Sequence, residues 1–468
     1  MNRPSFLEPP SRDVILNGPV IRVLLRLGVP VAIGELAHTL YELADIYWLG
    51  KVGRVAVAAP SASWPFIWAL MATGIGFLSA GVTLVAQYKG ANDEEGVKKS
   101  LGQVYTFATI IGVLIATAGF FAIPYILRLA RIPPDVYPYA VIYSRIEMIG
   151  LIIIIYWESF RAVSSASGDT VTPMKLNLIG ALANALLDPV FIFGLGPFPR
   201  LEVAGAAMAT VLTRGAMGIA SIYMIVRGHR DLKLEKKYMK PDKKIISLLL
   251  KVGAPLSAQY TGEALGFSLL TVIISLGGSV ALAAWGIGDR PFNMINFFIM
   301  GLLAGCTVMV GQALGAERID RAWSVASTTV KLTASASFIY GSLLAVFRYP
   351  VVSFFINDPE VIEAAAGFML YMGPAIFMFS LLQVGQAIAQ GSGHTKTMMA
   401  ISLARLWALR NILAYLLGPG PVGLGINGIW IGMSLSNVIS GALAVAWIYR
   451  KKWLKPVIKQ ATKQVVST

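Results

Sequence analysis

Long apolar runs recur along the whole chain and restrict its fold more than any other feature. The stretch FATIIGVLIATAGFFAIPYILRL (107–129) is typical. It is long enough to cross a bilayer as a helix, which takes about 20 residues. Helices are expected because they satisfy their own backbone hydrogen bonds in lipid, and the alternating pattern of a membrane barrel is absent. Twelve such runs begin near residues 22, 56, 101, 137, 172, 203, 246, 280, 323, 361, 396 and 425.

The balance of charged and apolar residues excludes an ordinary soluble protein. Charged residues are 13% of the chain and hydrophobic residues 56%, whereas soluble chains carry about 25% charged residues. The net charge of +15 is concentrated in the segment 227–244, which holds eight Lys and Arg, and after the last run. The positive-inside rule therefore predicts a multi-pass protein of the cytoplasmic membrane with both termini in the cytoplasm. Nucleic-acid binding is not expected, because no folded basic domain is available.

Internal similarity at an offset of 225 residues indicates a duplication. LGVP (27–30) matches VGAP (252–255), TLVAQYKGA (83–91) matches VMVGQALGA (308–316), and SGDT (167–170) matches SGHT (392–395). Six spans per copy make the copies parallel repeats, a recurrent design of secondary transporters. The predicted fold class is an all-α polytopic membrane protein with two six-helix bundles. Its predicted parts are an N-terminal tail (1–19), an N-lobe (20–226), a basic cytoplasmic linker (227–244), a C-lobe (245–449) and a basic tail (450–468).

The first span carries an acidic stripe. At helical spacing, three carboxylates and one imidazole fall within an arc of about 80°, with Tyr41 on the same side; the four residues are Glu35, His38, Glu42 and Asp45. A charge near the bilayer centre costs about 2.5–3.5 kcal/mol, so the stripe is expected to line a cavity. Snorkelling or pairing with a neighbouring helix is an open alternative for Glu35 and Glu42, and much less so for the short Asp45.

The fifth span offers a second polar stripe, made by Asn177, Asn184 and Asp188. Two carboxylates and an amide in a low dielectric can carry a proton or supply oxygen ligands to a monovalent cation. The sequence leaves both possibilities open, so the coupling ion is H⁺ or Na⁺, with a possible Na⁺ site at Asp45, Asn184 and Asp188. Tyr143 in the fourth span is a plausible hydrogen-bonding companion.

The second half lacks this arrangement, since Leu270 and Leu413 stand at the positions that match the two aspartates. Structural pairing and lining of the central cleft are both open for its charged residues inside the spans, which are Glu263, Asp289, Arg290, Arg405 and Arg410.

Pro30 and Gly34 precede the acidic stripe and predict a kink in the first span. A kink beside titratable groups would allow protonation to change the shape of this helix.

Enzyme signatures are absent. The chain has no H-E-x-x-H, G-x-S-x-G or Walker motif, only three histidines, and one cysteine. We therefore expect neither an enzyme nor a cofactor, and any pumping must draw on an ion gradient.

Three sets of residues resemble the multidrug and toxic compound extrusion (MATE) family, most closely its archaeal and other prokaryotic members. They are TLYELADIYWLGKVGRVAVAA (39–59), the paired AQYKGA (86–91) and GQALGA (311–316), and NALLDPVFIFG (184–194). The resemblance implies a V-shaped pair of six-helix lobes. It also implies an antiporter that exports organic cations and amphiphilic drugs in exchange for H⁺ or Na⁺. We expect the protein to be a monomer.

The resemblance also implies residue roles. The ion or proton site falls on Asp45, Asn184 and Asp188 with Tyr41 and Tyr143 beside it, and a bend of the first helix falls on Pro30 and Gly34. A sixth-helix threonine would be Thr210 or Thr213. Glu263 matches a C-lobe glutamate of some members, but its acidic partner in the tenth span is missing. A lipid-linked precursor flippase of the same superfamily is the alternative function; the acidic N-lobe argues against it.

Overall fold

The computed structural model describes residues 8–458, and this part of the chain is almost entirely helical. The first half contains α1 (Arg12–Asn17), α2 (Val20–Val52), α3 (Arg54–Gly90), α4 (Glu94–Leu129), α5 (Tyr137–Ser167), α6 (Val171–Phe193) and α7 (Val203–Arg227). The second contains α8 (Lys243–Ser275), α9 (Gly278–Gly315), α10 (Ile319–Val346), α11 (Arg348–Ser353), α12 (Pro359–Ser392), α13 (Thr395–Leu403), α14 (Asn411–Leu417) and α15 (Gly425–Tyr449). A 3₁₀ turn (Lys236–Tyr238) lies in the linker, and a π-helix (Ala404–Arg410) joins α13 to α14.

The first six predicted spans correspond to α2–α7 in order. The last six correspond to α8, α9, α10, α12, the combined segment of α13, the π-helix and α14, and finally α15. Within residues 8–458, ten of these segments are long and apolar enough to cross a membrane. The other two, α2 and α8, have 33 residues each but a more polar composition. In α2 the acidic stripe lowers the hydropathy, as expected of a helix that lines a polar interior.

Local sequence explains where several helices begin and end. Asp93 accepts a hydrogen bond from the Gly96 amide at 2.8 Å and so caps the start of α4. Gly168 ends α5 with φ 101°, and Gly393 ends α12 with φ 80°. These left-handed positions favour glycine, and the two glycines are 225 residues apart, as the duplication predicts.

Contacts between the two halves repeat at the same offset. α2 packs against α9, and α8 packs against α3 in the equivalent way. At one end the close approach of α3 and α9 leaves no room for a side chain: a Cβ at Gly90 would collide with the Gln312 carbonyl, and one at Gly315 with the Gln87 carbonyl. The fold thus keeps the symmetry of the duplicated sequence.

The basic segments gather at this same end of the molecule. Lys89 forms an ion pair with Asp231 of the linker, and Lys98 lies 3.4 Å from Glu235. The Glu235 pKa is lowered by its hydrogen bonds from lysines, that from Lys237 first. The N-terminal region lies at the same end of the molecule, because the Arg12 guanidinium donates a hydrogen bond to the Gly90 carbonyl of α3.

Candidate functional site

The two aspartates and the asparagine predicted to form an ion site come together where α2 packs against α6. Asn184 and Asp188 are fully buried, and the Asn184 amide donates to Asp188 Oδ1 at 3.3 Å. The carboxyl group of Asp45 lies close enough to that of Asp188 for the two to interact directly. Two carboxylates both accept hydrogen bonds, so this contact is a hydrogen bond only when one of them carries a proton.

Three oxygens of this group lack a donor. Asp45 Oδ1, Asn184 Oδ1 and Asp188 Oδ2 are buried, and no donor among residues 8–458 reaches them. Buried polar atoms are normally satisfied, and a buried charge without compensation is more costly still. The set therefore fits a proton shared by the carboxyl groups or a small cation held by the three oxygens.

Tyr41 connects this group to α7. Its side chain is 8% exposed, its hydroxyl lies 2.7 Å from the hydroxyl of Thr210, and Asp45 lies near it, one turn further along α2. Thr213, the other candidate of the sixth span, donates only to carbonyls of its own helix. The structure therefore places the Thr210 hydroxyl, and not that of Thr213, in contact with Tyr41. Tyr143 is buried in α5 and is near enough to Tyr41 to interact with it electrostatically.

Two charged residues that the sequence analysis did not single out complete the surroundings. Arg214 of α7 is 8% exposed, and its guanidinium lies 5.2 Å from the centre of the Tyr41 ring. It is also 2.6 Å from His38 Nε2. Glu147 of α5 is buried, and its Oε1 has no partner within the described residues. Arg214 interrupts the run LTRGAMG, and Glu147 interrupts the run RIEMIG. These interruptions are the sequence signal that could have identified the two residues.

The remaining members of the acidic stripe lie farther out. His38 Nδ1 is 3.6 Å from Glu42 Oε1, and the two side chains are 36% and 44% exposed. Glu35 lies 3.8 Å from Arg161 of α5, which also contacts Glu158 at 2.7 Å. Glu35 thus has the neighbouring-helix partner that the sequence left as an alternative.

Asn177 donates from its amide to the Gly34 carbonyl at 2.8 Å, another contact between α2 and α6. Pro30 is inside α2, which runs unbroken from Val20 to Val52. A Cβ on Gly34 would be 3.7 Å from the Asn177 amide nitrogen, which is ordinary contact. The kink at Pro30 and Gly34 stays a prediction.

The second half uses its polar groups differently. Glu263 Oε1 of α8 accepts three hydrogen bonds, from Gln259, Gln386 and Ser402. Asp289 of α9 accepts from Asn293 at 2.7 Å. Its neighbour Arg290 is exposed. Consecutive helical residues point about 100° apart, so Asp289 and Arg290 face different surroundings. Of the two alternatives for Arg290, lining of the cleft stays a prediction.

A metal centre of the usual kind is not found. Residues 8–458 contain no group of three His, Cys, Asp or Glu able to hold a metal ion. The aspartate–asparagine group has only two carboxylates and an amide.

Comparison with known proteins identifies the chain. The MatE family model matches residues 30–190 and again residues 255–416. The chain belongs to the MatE family. This confirms the resemblance seen in its sequence, and the two matches begin 225 residues apart, as the duplication requires. Membership makes the protein a multi-pass membrane transporter and not an enzyme.

Relatives within the MatE family match the chain over nearly its whole length. A probable multidrug resistance protein, YoeA of Bacillus subtilis, is 26% identical over 93% of this chain and 94% of its own. An FAD transporter of Shewanella oneidensis is 25% identical over 92% of this chain and 95% of its own. A crystal structure of MATE in the straight conformation is similar to this chain, with a TM-score of 0.86 at 22% identity. The matched region covers 96% of this chain and 99% of the chain in that structure. The predicted MATE-like fold of two six-helix bundles is thereby confirmed.

Proposed function

We propose that this protein exports cationic and amphiphilic drugs across the cytoplasmic membrane in exchange for H⁺ or Na⁺. Relatives described as multidrug resistance proteins support export of small molecules. The N-lobe (20–226) and C-lobe (245–449), joined by the linker 227–244, rock against each other to give alternating access. Both termini lie in the cytoplasm and the protein works as a monomer.

The observation that carries the proposal is the set of three donor-free oxygens on Asp45, Asn184 and Asp188. With both carboxyl groups charged the pair repels itself in a low dielectric, and a proton or a cation between them removes the repulsion. The site therefore holds one positive charge in its stable state. A carrier with such a site exchanges that charge for a cationic substrate.

The contacts of Tyr41 provide a route from ion binding to movement. Its hydroxyl bonds that of Thr210 on α7 at 2.7 Å and lies near Asp45, one turn further along its own helix. A protonated Asp45 can donate a hydrogen bond toward Tyr41, whereas an ionised Asp45 can only accept one, and a cation bound to Asp45 occupies the oxygens that would accept it; each change alters the bond from Tyr41 to Thr210. Loading of the site therefore changes a contact between α2 and α7.

The arrangement of basic segments supports the proposed topology. Linker, N-terminal and C-terminal contacts all reach the end of α3: Lys89 to Asp231, Arg12 to the Gly90 carbonyl, and the Val457 amide to Gln87. One end of the molecule thus collects the Lys- and Arg-rich segments, as the positive-inside rule expects of the cytoplasmic end.

Export of a cationic dye from proteoliposomes, driven by an imposed pH or Na⁺ gradient, tests the proposal. Wild type should export the dye under at least one gradient, and Asp45→Asn should abolish that export. Glu363→Gln is the matched control, because Glu363 is an exposed carboxylate of α12 in the second half whose hydrogen-bond partner is Tyr349. Unchanged export by Asp45→Asn would refute the site, and no export by wild type under either gradient would refute the function.

A further inference from the structure

His38 and Arg214 form a hydrogen bond whose direction is fixed by their chemistry. His38 Nε2 lies 2.6 Å from the Arg214 guanidinium. A guanidinium has only donors and keeps its charge, so this imidazole nitrogen accepts with its lone pair. The proton of the neutral ring is therefore on Nδ1. A second proton would have to bind Nε2, where two donors would then face each other, so His38 is uncharged while Arg214 is in place.

Arg214 is held in that place by its own surroundings. It is 8% exposed and lies on α7, four residues after Thr210. Its guanidinium packs over the Tyr41 ring at 5.2 Å, a favourable position for a cation away from water. The Tyr41 hydroxyl is bonded in turn to Thr210 at 2.7 Å. The donor to His38 is thus part of a packed contact between α2 and α7.

The other nitrogen of the imidazole lies near a carboxylate. His38 Nδ1 is 3.6 Å from Glu42 Oε1, and the two side chains are 36% and 44% exposed. A charged His38 would form an ion pair with Glu42 and compensate its charge. Among residues 8–458 no lysine or arginine forms an ion pair with Glu42, and Arg214 acts on it only at longer range. While His38 is neutral, Glu42 is therefore a solvent-accessible carboxylate without a cationic partner.

Charged neighbours on α5 place this part of α2 toward the second half. Glu158 and Arg161 are near enough to His38 to act on it electrostatically, but they are paired with each other at 2.7 Å. Their effects on the ring therefore largely cancel. Arg161 also interacts electrostatically with Tyr260 of α8, which belongs to the second half. The half-exposed side chains of His38 and Glu42 thus lie on the side of the first half that faces the second.

We propose that Arg214 is a positioning residue that keeps His38 neutral and thereby leaves Glu42 free to bind the cationic group of a transported substrate. This inference rests on the proposed export function and specifies where the substrate cation binds. The other carboxylates of the acidic stripe are already engaged, because Glu35 has an arginine partner and Asp45 belongs to the aspartate pair. Glu42 is the member of the stripe that is left for a cation from outside the chain.

Binding of ethidium, a permanent cation, to the purified full-length protein in nanodiscs of zwitterionic lipid tests the role of Arg214. The aspartate pair contributes its own pH dependence, so all the proteins compared keep that pair. Arg214→Met frees His38 to take up a proton. An ordinary histidine has a pKa of about 6.5, so about one-tenth of it is neutral at pH 5.5. Between pH 8 and pH 5.5 the Kd of Arg214→Met should therefore rise roughly tenfold more than that of wild type, and Arg214→Met/His38→Gln should lose this extra rise.

Two single variants make the test independent of whether Arg214→Met folds. Because His38 is uncharged in wild type, His38→Gln should keep the shape of the wild-type pH profile, whatever its affinity for ethidium. Glu42→Gln should weaken ethidium binding roughly tenfold at pH 8, the worth of one charge-assisted contact. Glu363→Gln, the control carboxylate in the second half, should not weaken it.

Three results would overturn the role of Arg214: a pH profile of His38→Gln that differs from wild type, an Arg214→Met profile without the extra loss at acidic pH, or an extra loss that persists in the double variant. Unchanged ethidium binding by Glu42→Gln would overturn the role of Glu42. Proteoliposomes keep the two proposals apart. Gradient-driven export of ethidium by wild type supports the export function whatever these profiles are, and export under neither gradient refutes that function.

Discussion

Gln87 and Gln312 occupy equivalent positions of the two repeats but have different numbers of partners. Gln87 donates to the Gly391 and Ser392 carbonyls at 3.1 and 3.2 Å, and its Oε1 accepts from the Val457 and Ile458 amides at 2.9 and 3.4 Å. At about 1 kcal/mol net for each hydrogen bond, Gln87→Leu should lower the free energy of unfolding by about 4 kcal/mol. These bonds join α3 to α12 and to the segment after α15, so that segment should loosen.

Gln312→Leu is the matched control. Gln312 is equally buried but makes one bond, to the Ala166 carbonyl at 3.0 Å, while its Oε1 has no partner in the described chain. Losing that bond costs about 1 kcal/mol, and removing an unsatisfied oxygen offsets part of the cost. The two variants should therefore differ by about 3 kcal/mol, although the same residue is replaced in the same way.

Thermal unfolding and hydrogen exchange measure the difference. Gln87→Leu should have the lower Tm, and the peptide covering 450–458 should exchange faster because the Val457 amide has lost its acceptor. Equal Tm values for the two variants, or unchanged exchange of that peptide in Gln87→Leu, would refute the reasoning.

Two further outcomes follow from contacts near the site and the linker. Thr210→Val should weaken gradient-driven export several-fold by removing the partner of Tyr41, whereas Thr213→Val, which loses only bonds within its own helix, should not; equal effects in the dye-export assay would contradict this. Burial alone would raise the pKa of Asp169. The hydrogen bond from His229, together with the other hydrogen bonds to Asp169, outweighs this effect and lowers the pKa on balance. Its contribution to stability should therefore be present above the ordinary carboxyl pKa and be lost as the pH falls through the lowered value. Asp169→Asn should cost about 1–3 kcal/mol at pH 7 and reduce this acid dependence, as Tm measured against pH would show; an unaltered profile would contradict it.

The helices and the duplication could be predicted because both depend on residue patterns that are visible along the sequence itself. Apolar runs fix where spans lie, and the offset that pairs Gln87 with Gln312 also pairs the glycines that end α5 and α12. The α2 and α6 stripes could be predicted because several polar residues share one helical face.

Isolated residues were harder to place. Arg214 and Glu147 are single charges on separate helices, and their proximity to Tyr41 depends on how α5 and α7 pack. The sequence left two roles open for Arg290 because a charge adjacent to Asp289 has no helical stripe of its own to indicate a direction. The π-helix Ala404–Arg410 has no signal in the sequence pattern, so it became visible only in the fold.

The most direct test of coupling through the aspartate pair compares two transport modes of one variant. Asp188→Asn removes one carboxylate of the pair and keeps its hydrogen-bonding shape. In proteoliposomes it should still exchange labelled for unlabelled cationic dye at equal concentrations, but it should no longer accumulate dye against its gradient when a pH or Na⁺ gradient is imposed. Uphill accumulation at the wild-type level under either gradient would contradict the assignment of ion coupling to Asp45, Asn184 and Asp188.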